Sequence, residues 1–254
     1  MLFCPNCGKE VEEGAKFCVN CGHDLVGGEE KKEEAKTAPV QKTDAISSLQ
    51  KGVNIITSKP HVLVPALVGA VVSAVLSLVA QWFFPLGWWW VADLFGPAAI
   101  GLAVIGVILN LIGAVASYIM FFASIDMSRD AYLNEELDLS RSVNYVVKRM
   151  LPFILASIIG AILAITIILI PVVILMFVIM VIDETGIGDS ISIAFKVLGN
   201  RLGDIIILII IAIVGSFVLS LIPFIGSILV AGFTVLVGLA FIDIYYNYKK
   251  TETS

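Results

Sequence analysis

The sequence predicts an all-α polytopic membrane bundle, in which about six transmembrane helices form three hairpins and each hairpin follows an amphipathic helix. A small N-terminal unit precedes this bundle. The chain is 59% hydrophobic and 15% charged, with a mean hydropathy of +0.99. Its apolar segments are long, and its four cysteines all precede Gly22. A soluble domain would need a more polar surface, whereas apolar stretches of about 20 residues are typical of membrane spans.

The N-terminal unit contains a duplicated cysteine motif. Residues 3–8 read Phe-Cys-Pro-Asn-Cys-Gly, and residues 17–22 read Phe-Cys-Val-Asn-Cys-Gly. Two residues between cysteines let a tight turn direct both thiolates at one metal ion, and the glycine adopts backbone conformations that are costly for other residues. No export signal precedes the motif, so we expect a reducing compartment, where such cysteines bind metal more often than they form disulfides.

These residues resemble the small zinc-ribbon family found at the ends of prokaryotic proteins, over residues 3–25. The resemblance implies one structural Zn²⁺ held by four thiolates, those of Cys4, Cys7, Cys18 and Cys21. Such a site is closed to substrate, so the zinc is expected to support a fold or a partner-binding surface. Two disulfides, a redox pair and an iron site are the alternatives. His23 is expected to be a surface residue.

A polar linker follows the ribbon. It is rich in Glu and Lys and has no aromatic residue, so we expect a mobile tether. The sequence therefore predicts a ribbon, a flexible linker, a helical membrane domain and a cytosolic tail, with the boundaries 1–26, 27–43, 44–248 and 249–254.

The spacing of basic residues predicts the topology. The apolar segments are 61–84, 97–125, 151–182, 205–222 and 227–246. As one helix, 151–182 would be about 48 Å long, well beyond a hydrocarbon core of about 30 Å. If it is split near Pro171 into a hairpin, all 16 Lys and Arg lie on one side of the membrane. The positive-inside rule then places both termini in the cytosol, in a multi-pass protein of the cell membrane.

A degenerate repeat supports three hairpins. The stretches 52–56, 142–146 and 194–198 precede the first, third and fifth predicted spans. Each belongs to a predicted amphipathic helix that lies in the inner headgroup layer, with basic residues towards lipid phosphates. The predicted apolar stripes are Ile46, Leu49, Val53 and Ile56, then Leu139, Val143, Val146 and Met150, then Ile191, Ala194, Phe195 and Leu198.

This organisation is similar to that of six-span prokaryotic membrane proteins, which include the membrane domain found beside glycerophosphodiester phosphodiesterases. Residues 140–153 and 190–200, with the apolar run that follows, carry the similarity. It implies a topology and no activity, because no catalytic motif and no phosphodiesterase domain accompany it here.

Polar residues within the spans are interpreted mainly as packing features. Gly69, Ser73 and Ser77 form a small-residue face suited to close helix contact. Asn110 is expected to be buried and hydrogen-bonded to another helix, with a substrate ligand as the alternative. His61, Asp126 and Asp243 lie near span ends, where we expect them to reach water. Trp88, Trp89 and Trp90 are expected to anchor the outer interface, with a ligand-stacking surface as the alternative.

The sequence favours a non-enzymatic membrane protein. It contains two histidines, and it shows no phosphate-binding loop, metalloprotease motif or serine-hydrolase motif. The expected role is scaffolding, assembly or sensing, in which the ribbon binds a cytosolic protein and the body lies in the lipid bilayer. The alternative is a transporter, channel or lipid-handling protein regulated by the ribbon. No nucleic-acid partner is expected, and a homo-oligomer is a further possibility.

Overall fold

A computed structural model describes residues 2–3, 10–11, 44–83, 97–222 and 225–252. The chain divides into two compact units, Met1–Lys42 and Thr43–Ser254. In the first unit, strands β1 (Leu2–Phe3) and β2 (Glu10–Val11) pair antiparallel. The predicted zinc ligands, the linker and the predicted tryptophan anchors at 88–90 lie outside the described residues.

The described part of the second unit is helical, as predicted. Four helices, or five if one bent pair counts as a single span, are long and apolar enough to cross a membrane. The helices are α1 (Ala45–Ser58), α2 (Val64–Phe83), α3 (Pro97–Leu133), α4 (Leu139–Lys148), α5 (Met150–Ala164), α6 (Ile170–Ile182), α7 (Ile187–Ser220) and α8 (Gly226–Glu252). The bent pair is α4 and α5, which meet at 73°.

The segment 151–182 folds back on itself as α5 and α6. The Arg149 guanidinium at the start of α5 donates to the carbonyl of Glu184, just beyond the end of α6, at 2.8 Å. A single straight helix would separate these two positions by about 50 Å. Pro171 lies in the first turn of α6, where its missing N–H leaves no helical hydrogen bond unmade.

The predicted amphipathic helices are present, but only part of the predicted stripe of α1 faces the bundle. Its buried residues are Ala45, Ser48 and Gly52, whereas Ile46 and Val53 of the predicted stripe are 58% and 46% exposed. Small residues allow close contact between helices, and large apolar residues can face lipid at no cost. Leu49 and Ile56 of the same stripe are half-buried against the core, so the stripe lies across the edge of the buried face. Hydrogen bonds from Ser47 lower the pKa of Asp44, which caps this helix.

Each amphipathic helix packs at the same end of the bundle. α1 lies against α8, where a Cβ added to Gly52 would come within 2.9 Å of Leu236 Cδ1. α4 lies against α3 and buries Ser142 and Val146. In α7 the backbone leaves helical geometry at Arg201, so residues 187–200 form the third short helix before the apolar part. We call this the charged end, because the described ion pairs lie here.

Helices α2 and α3 pack through small residues, as the sequence predicted. A Cβ on Gly69 would lie 2.9 Å from the Met120 Cβ, and the Ser117 hydroxyl donates to the Gly69 carbonyl at 3.2 Å. Farther along, Gly113 lies against Leu76 and Ser73. The two helices therefore approach closely along one edge of the small-residue face, which leaves the other edge of α2 facing the interior.

Candidate functional site

A cavity of about 660 Å³ lies among α2, α3, α6, α7 and α8. Its volume falls within the range of about 300–1,000 Å³ that is common for small-molecule sites. Most of its wall is apolar, with four phenylalanines and eight hydroxyl groups among the lining residues. These are Phe121, Phe177, Phe233, Phe241, Ser73, Ser77, Ser117, Ser124, Ser128, Ser216, Ser227 and Thr234. None of the described lining residues carries a charge.

The small-residue face of α2 helps to form this space. Ala66, Gly69, Ala70, Ser73 and Ala74 line the cavity. Larger side chains there would extend into the volume between α2 and α8. From the sequence, helix packing alone explains the small-residue face of α2. The same small residues also leave an open space beside the α2–α3 contact.

The cavity is closed at the charged end and open at the other. Near the charged end, Ser124 and Ser128 are only 7% and 2% exposed, and Ile242 is fully buried. At the opposite end Ser227 is exposed, and Thr234, midway along the α8 lining, is exposed as well. Along α8 the lining extends from Ser227 to Ile242, a rise of about 22 Å. The site is therefore an elongated channel that is closed at the charged end and open both at the other end and along part of its side.

The two most deeply buried hydroxyls of the cavity have no hydrogen-bond partner among the described residues. The Ser117 hydroxyl donates to Gly69, and the Thr234 hydroxyl donates to the carbonyl of Val230 at 2.9 Å. Ser124 and Ser128 make no such bond in the described structure, although both line the cavity. Buried polar groups are normally hydrogen-bonded, so these two serines have unused capacity to bind a ligand or water.

Beyond the closed end, four charged residues form an ion network whose two acids are buried and whose Arg141 is half-exposed. The Arg129 Nη2 atom lies 2.8 Å from the Asp126 Oδ1 atom and 2.9 Å from the Asp130 Oδ1 atom. Arg141 of α4 pairs with the other oxygen of Asp130. The expectation that Asp126 reaches water is wrong, because it is 1% exposed. The physical reason is that α4 covers the end of α3.

Asp243 is buried for a similar reason, since α1 covers the end of α8. It accepts hydrogen bonds from the Ser48 hydroxyl at 2.7 Å, the Lys51 ammonium at 2.7 Å and the Tyr132 hydroxyl at 2.8 Å. It is 2% exposed, so the expectation of contact with water is wrong here too. One carboxylate thus joins α1, α3 and α8. The sequence signal that could have indicated it was a lysine within an otherwise uncharged interfacial helix.

Residues that the sequence analysis had singled out elsewhere do not meet in this site. Asn110 is exposed, and its amide donates to Gly106 of its own helix at 2.9 Å. The Ser77 hydroxyl lies 3.4 Å from the Asn110 Oδ1 atom, a long contact between helices. The expectation that Asn110 is buried is therefore wrong, whereas the expected hydrogen bond to another helix is present, with the Ser77 hydroxyl as donor. His61 is exposed, as expected for a residue near a span end.

Among the described residues, no group of three or more His, Cys, Asp or Glu side chains is placed to hold a metal ion. The predicted ligands Cys4, Cys7, Cys18 and Cys21 lie outside this part of the chain. The structure does describe the paired strands β1 and β2. Residues 4–9, which connect them in the sequence, contain the first cysteine motif.

Comparison with known proteins identifies one part of the chain. Residues 3–25 match the family model of the zinc-ribbon domain. No curated protein and no solved structure matches the chain. The comparisons therefore support a zinc-ribbon domain at the N-terminus and assign no family to the helical membrane domain.

Proposed function

We propose that this is a non-enzymatic, lipid-handling protein of the cell membrane, with a cytosolic zinc ribbon that recruits a protein partner. The cavity carries the lipid-handling part of this proposal. It is large and apolar, it has hydroxyl groups at its closed end, and it lies within a helical bundle suited to a bilayer. Scaffolding, which the sequence alone favoured, remains the role proposed for the ribbon.

We further propose that both termini are cytosolic and that six helical segments cross the bilayer. The arrangement of α5 and α6 as a hairpin supports this, because their shared end carries Arg149 and Glu184 while their connection is apolar. Helices α5 and α6 are about 22 Å and 20 Å long, which is shorter than the hydrocarbon core of a bilayer. Local thinning of the bilayer, or residues of the connection between the helices, must therefore make up the missing length.

Cysteine labelling tests this topology. The chain from residue 44 to 254 contains no native cysteine, so single cysteines can be introduced there. In intact cells, a membrane-impermeant maleimide should label Ile168→Cys, in the 82%-exposed connection of α5 and α6. It should leave Lys196→Cys unlabelled until the cells are opened. Labelling of Lys196→Cys from outside would contradict the six-span arrangement.

The apolar wall supports a lipid as the ligand. A charged solute would lose its hydration in this cavity without gaining an opposite charge from the described lining. The lining hydroxyls also have no described His, Lys, Asp or Glu beside them in the wall, and this chemistry supports binding without catalysis. The open end lies in the apolar half of the bundle, where a membrane lipid has direct access.

Filling the cavity should remove bound lipid. Ala70→Trp places a large side chain in the channel, so lipid that co-purifies with the protein should fall about tenfold, as measured by native mass spectrometry. Leu78→Trp is the matched control, because Leu78 lies on the same helix, does not line the cavity and is 60% exposed. Equal lipid occupancy in both variants would contradict a role for the cavity.

The ribbon is proposed to bind zinc and a cytosolic protein. Its match to the zinc-ribbon domain supports the metal, and its position before a polar linker supports a tethered surface. Deleting residues 1–43 should leave the membrane domain inserted and abolish capture of the partner in a cross-linking pull-down. Identical partners with and without the ribbon would contradict this part of the proposal.

A further inference from the structure

We infer that the cavity takes a neutral lipid of the long-chain alcohol class, with the ligand hydroxyl at Ser124 and Ser128. This inference rests on the proposed lipid-binding role and specifies its ligand. The observation that leads to it is the pairing of an elongated apolar channel with two buried, unpartnered hydroxyls at its closed end.

The shape of the channel indicates a hydrocarbon chain. Its length of about 22 Å along α8 approaches the thickness of the hydrocarbon core, about 30 Å. Phe121, Phe177, Phe233 and Phe241 contribute to its wall. A compact polar solute would leave most of this apolar surface without contact, whereas an extended alkyl or prenyl chain would contact it along its whole length.

The closed end indicates the polar group. Ser124 and Ser128 lie one helical turn apart on the same face of α3. Each hydroxyl can both donate and accept a hydrogen bond. A ligand hydroxyl can return both interactions, since it also donates and accepts. An ester carbonyl could only accept, and a hydrocarbon would leave both serines without a partner.

The charges around the cavity favour a neutral ligand. The nearby acids Asp126, Asp130 and Asp243 already pair with arginine or lysine side chains. The negative charges of these acids are therefore already balanced by side chains of the protein. A carboxylate or phosphate at Ser128 would enter a site whose described lining offers no counter-charge. Entry also runs through the apolar channel from its open end, which an uncharged hydroxyl crosses at far lower cost than an ion.

Three probes of equal chain length separate these contributions. Purified protein in detergent is incubated with hexadecanol, hexadecanoic acid or hexadecane, and bound ligand is measured by native mass spectrometry with competition against labelled hexadecanol. We expect hexadecanol to bind one per chain and at least about tenfold more tightly than either of the others. The double variant Ser124→Ala/Ser128→Ala should lose this preference and keep its affinity for hexadecane. Ser192→Ala, an exposed serine of α7, is the control.

The outcomes separate this inference from the proposed function. Equal affinity for hexadecanol and hexadecane, blocked by Ala70→Trp, would overturn the alcohol assignment and retain a lipid-binding cavity. Preference for hexadecanoic acid would also overturn it. Absence of binding by all three probes, together with co-purified lipid that Ala70→Trp does not change, would overturn both. A preference for hexadecanol that survives the double serine variant would exclude Ser124 and Ser128 as its cause.

Discussion

Removing zinc from the chain should unfold residues 1–26 and leave the membrane domain folded. A unit of this size buries too little apolar surface to fold alone, and structural zinc contributes about 10–16 kcal/mol to the folding of comparable small domains. The membrane domain has its own cores, formed for example by Leu175, Ile179 and Phe241, and needs no contribution from the metal. We therefore expect zinc removal to unfold the ribbon completely and to leave the membrane domain folded.

Trypsin can report this difference within a single chain. Lys9 and Lys16 lie in the predicted ribbon, whereas Lys31, Lys32 and Lys36 lie in the predicted linker. Cleavage at Lys9 and Lys16 should appear only after chelation, and cleavage in the linker should be unchanged. The measurement is the time course of the peptides by mass spectrometry, alongside the zinc content per chain.

A pair of variants identifies the ligands. Cys7→Ser should reduce the zinc content from one per chain to near zero at micromolar free zinc, because three thiolates leave the tetrahedral site incomplete. His23→Ala should retain the zinc, since four thiolates already complete the site. Loss of zinc in His23→Ala would contradict the assignment. Resistance of all four cysteines to alkylation after chelation would indicate disulfides in place of a metal site.

Replacing Asp130 by Asn should destabilise the membrane domain by about 3 kcal/mol or more. The Asp130 side chain is fully buried and pairs with Arg129 and Arg141. Loss of its charge leaves Arg129, which is 18% exposed, with Asp126 alone and leaves the cluster with a net positive charge. The same change also weakens the bond that holds α4 against the end of α3.

This destabilisation is measurable as the change in unfolding free energy during titration with a denaturing detergent. Glu135→Gln is the control, because Glu135 is exposed and lies in the same loop region. It should change stability by less than about 0.5 kcal/mol. A similar small effect for Asp130→Asn would show that the network is not held as tightly as its geometry indicates.

Several features of the fold followed from the sequence for identifiable reasons. The Lys and Arg positions, with Pro171, predicted that 151–182 is a hairpin, and the contact of Arg149 with Glu184 confirms it. Helical periodicity predicted short helices before each hairpin, and small residues at Gly69 predicted the close approach of α2 and α3. Each of these features depends on local pattern or on the cost of placing charge in lipid.

Other features could not be predicted because they depend on which helices become neighbours. Asp126 and Asp243 look like surface acids in the sequence, and only the positions of α4 and α1 bury them. Asn110 looks like a buried residue that bonds to another helix; it does bond to Ser77 of α2, but the rotation of α3 leaves it exposed. The cavity depends on spaces between five helices, and no single helix contains it.

The sequence by itself thus determined the duplicated cysteine motif, the apolar helices and the gathering of charge at one end of the bundle, since each depends on residues near one another in the chain. The tertiary structure decided which carboxylates are covered, which face of α1 lies against the bundle, and where Ser124 and Ser128 lie without partners. Those outcomes depend on contacts between segments far apart in sequence, and hydropathy carries no information about them.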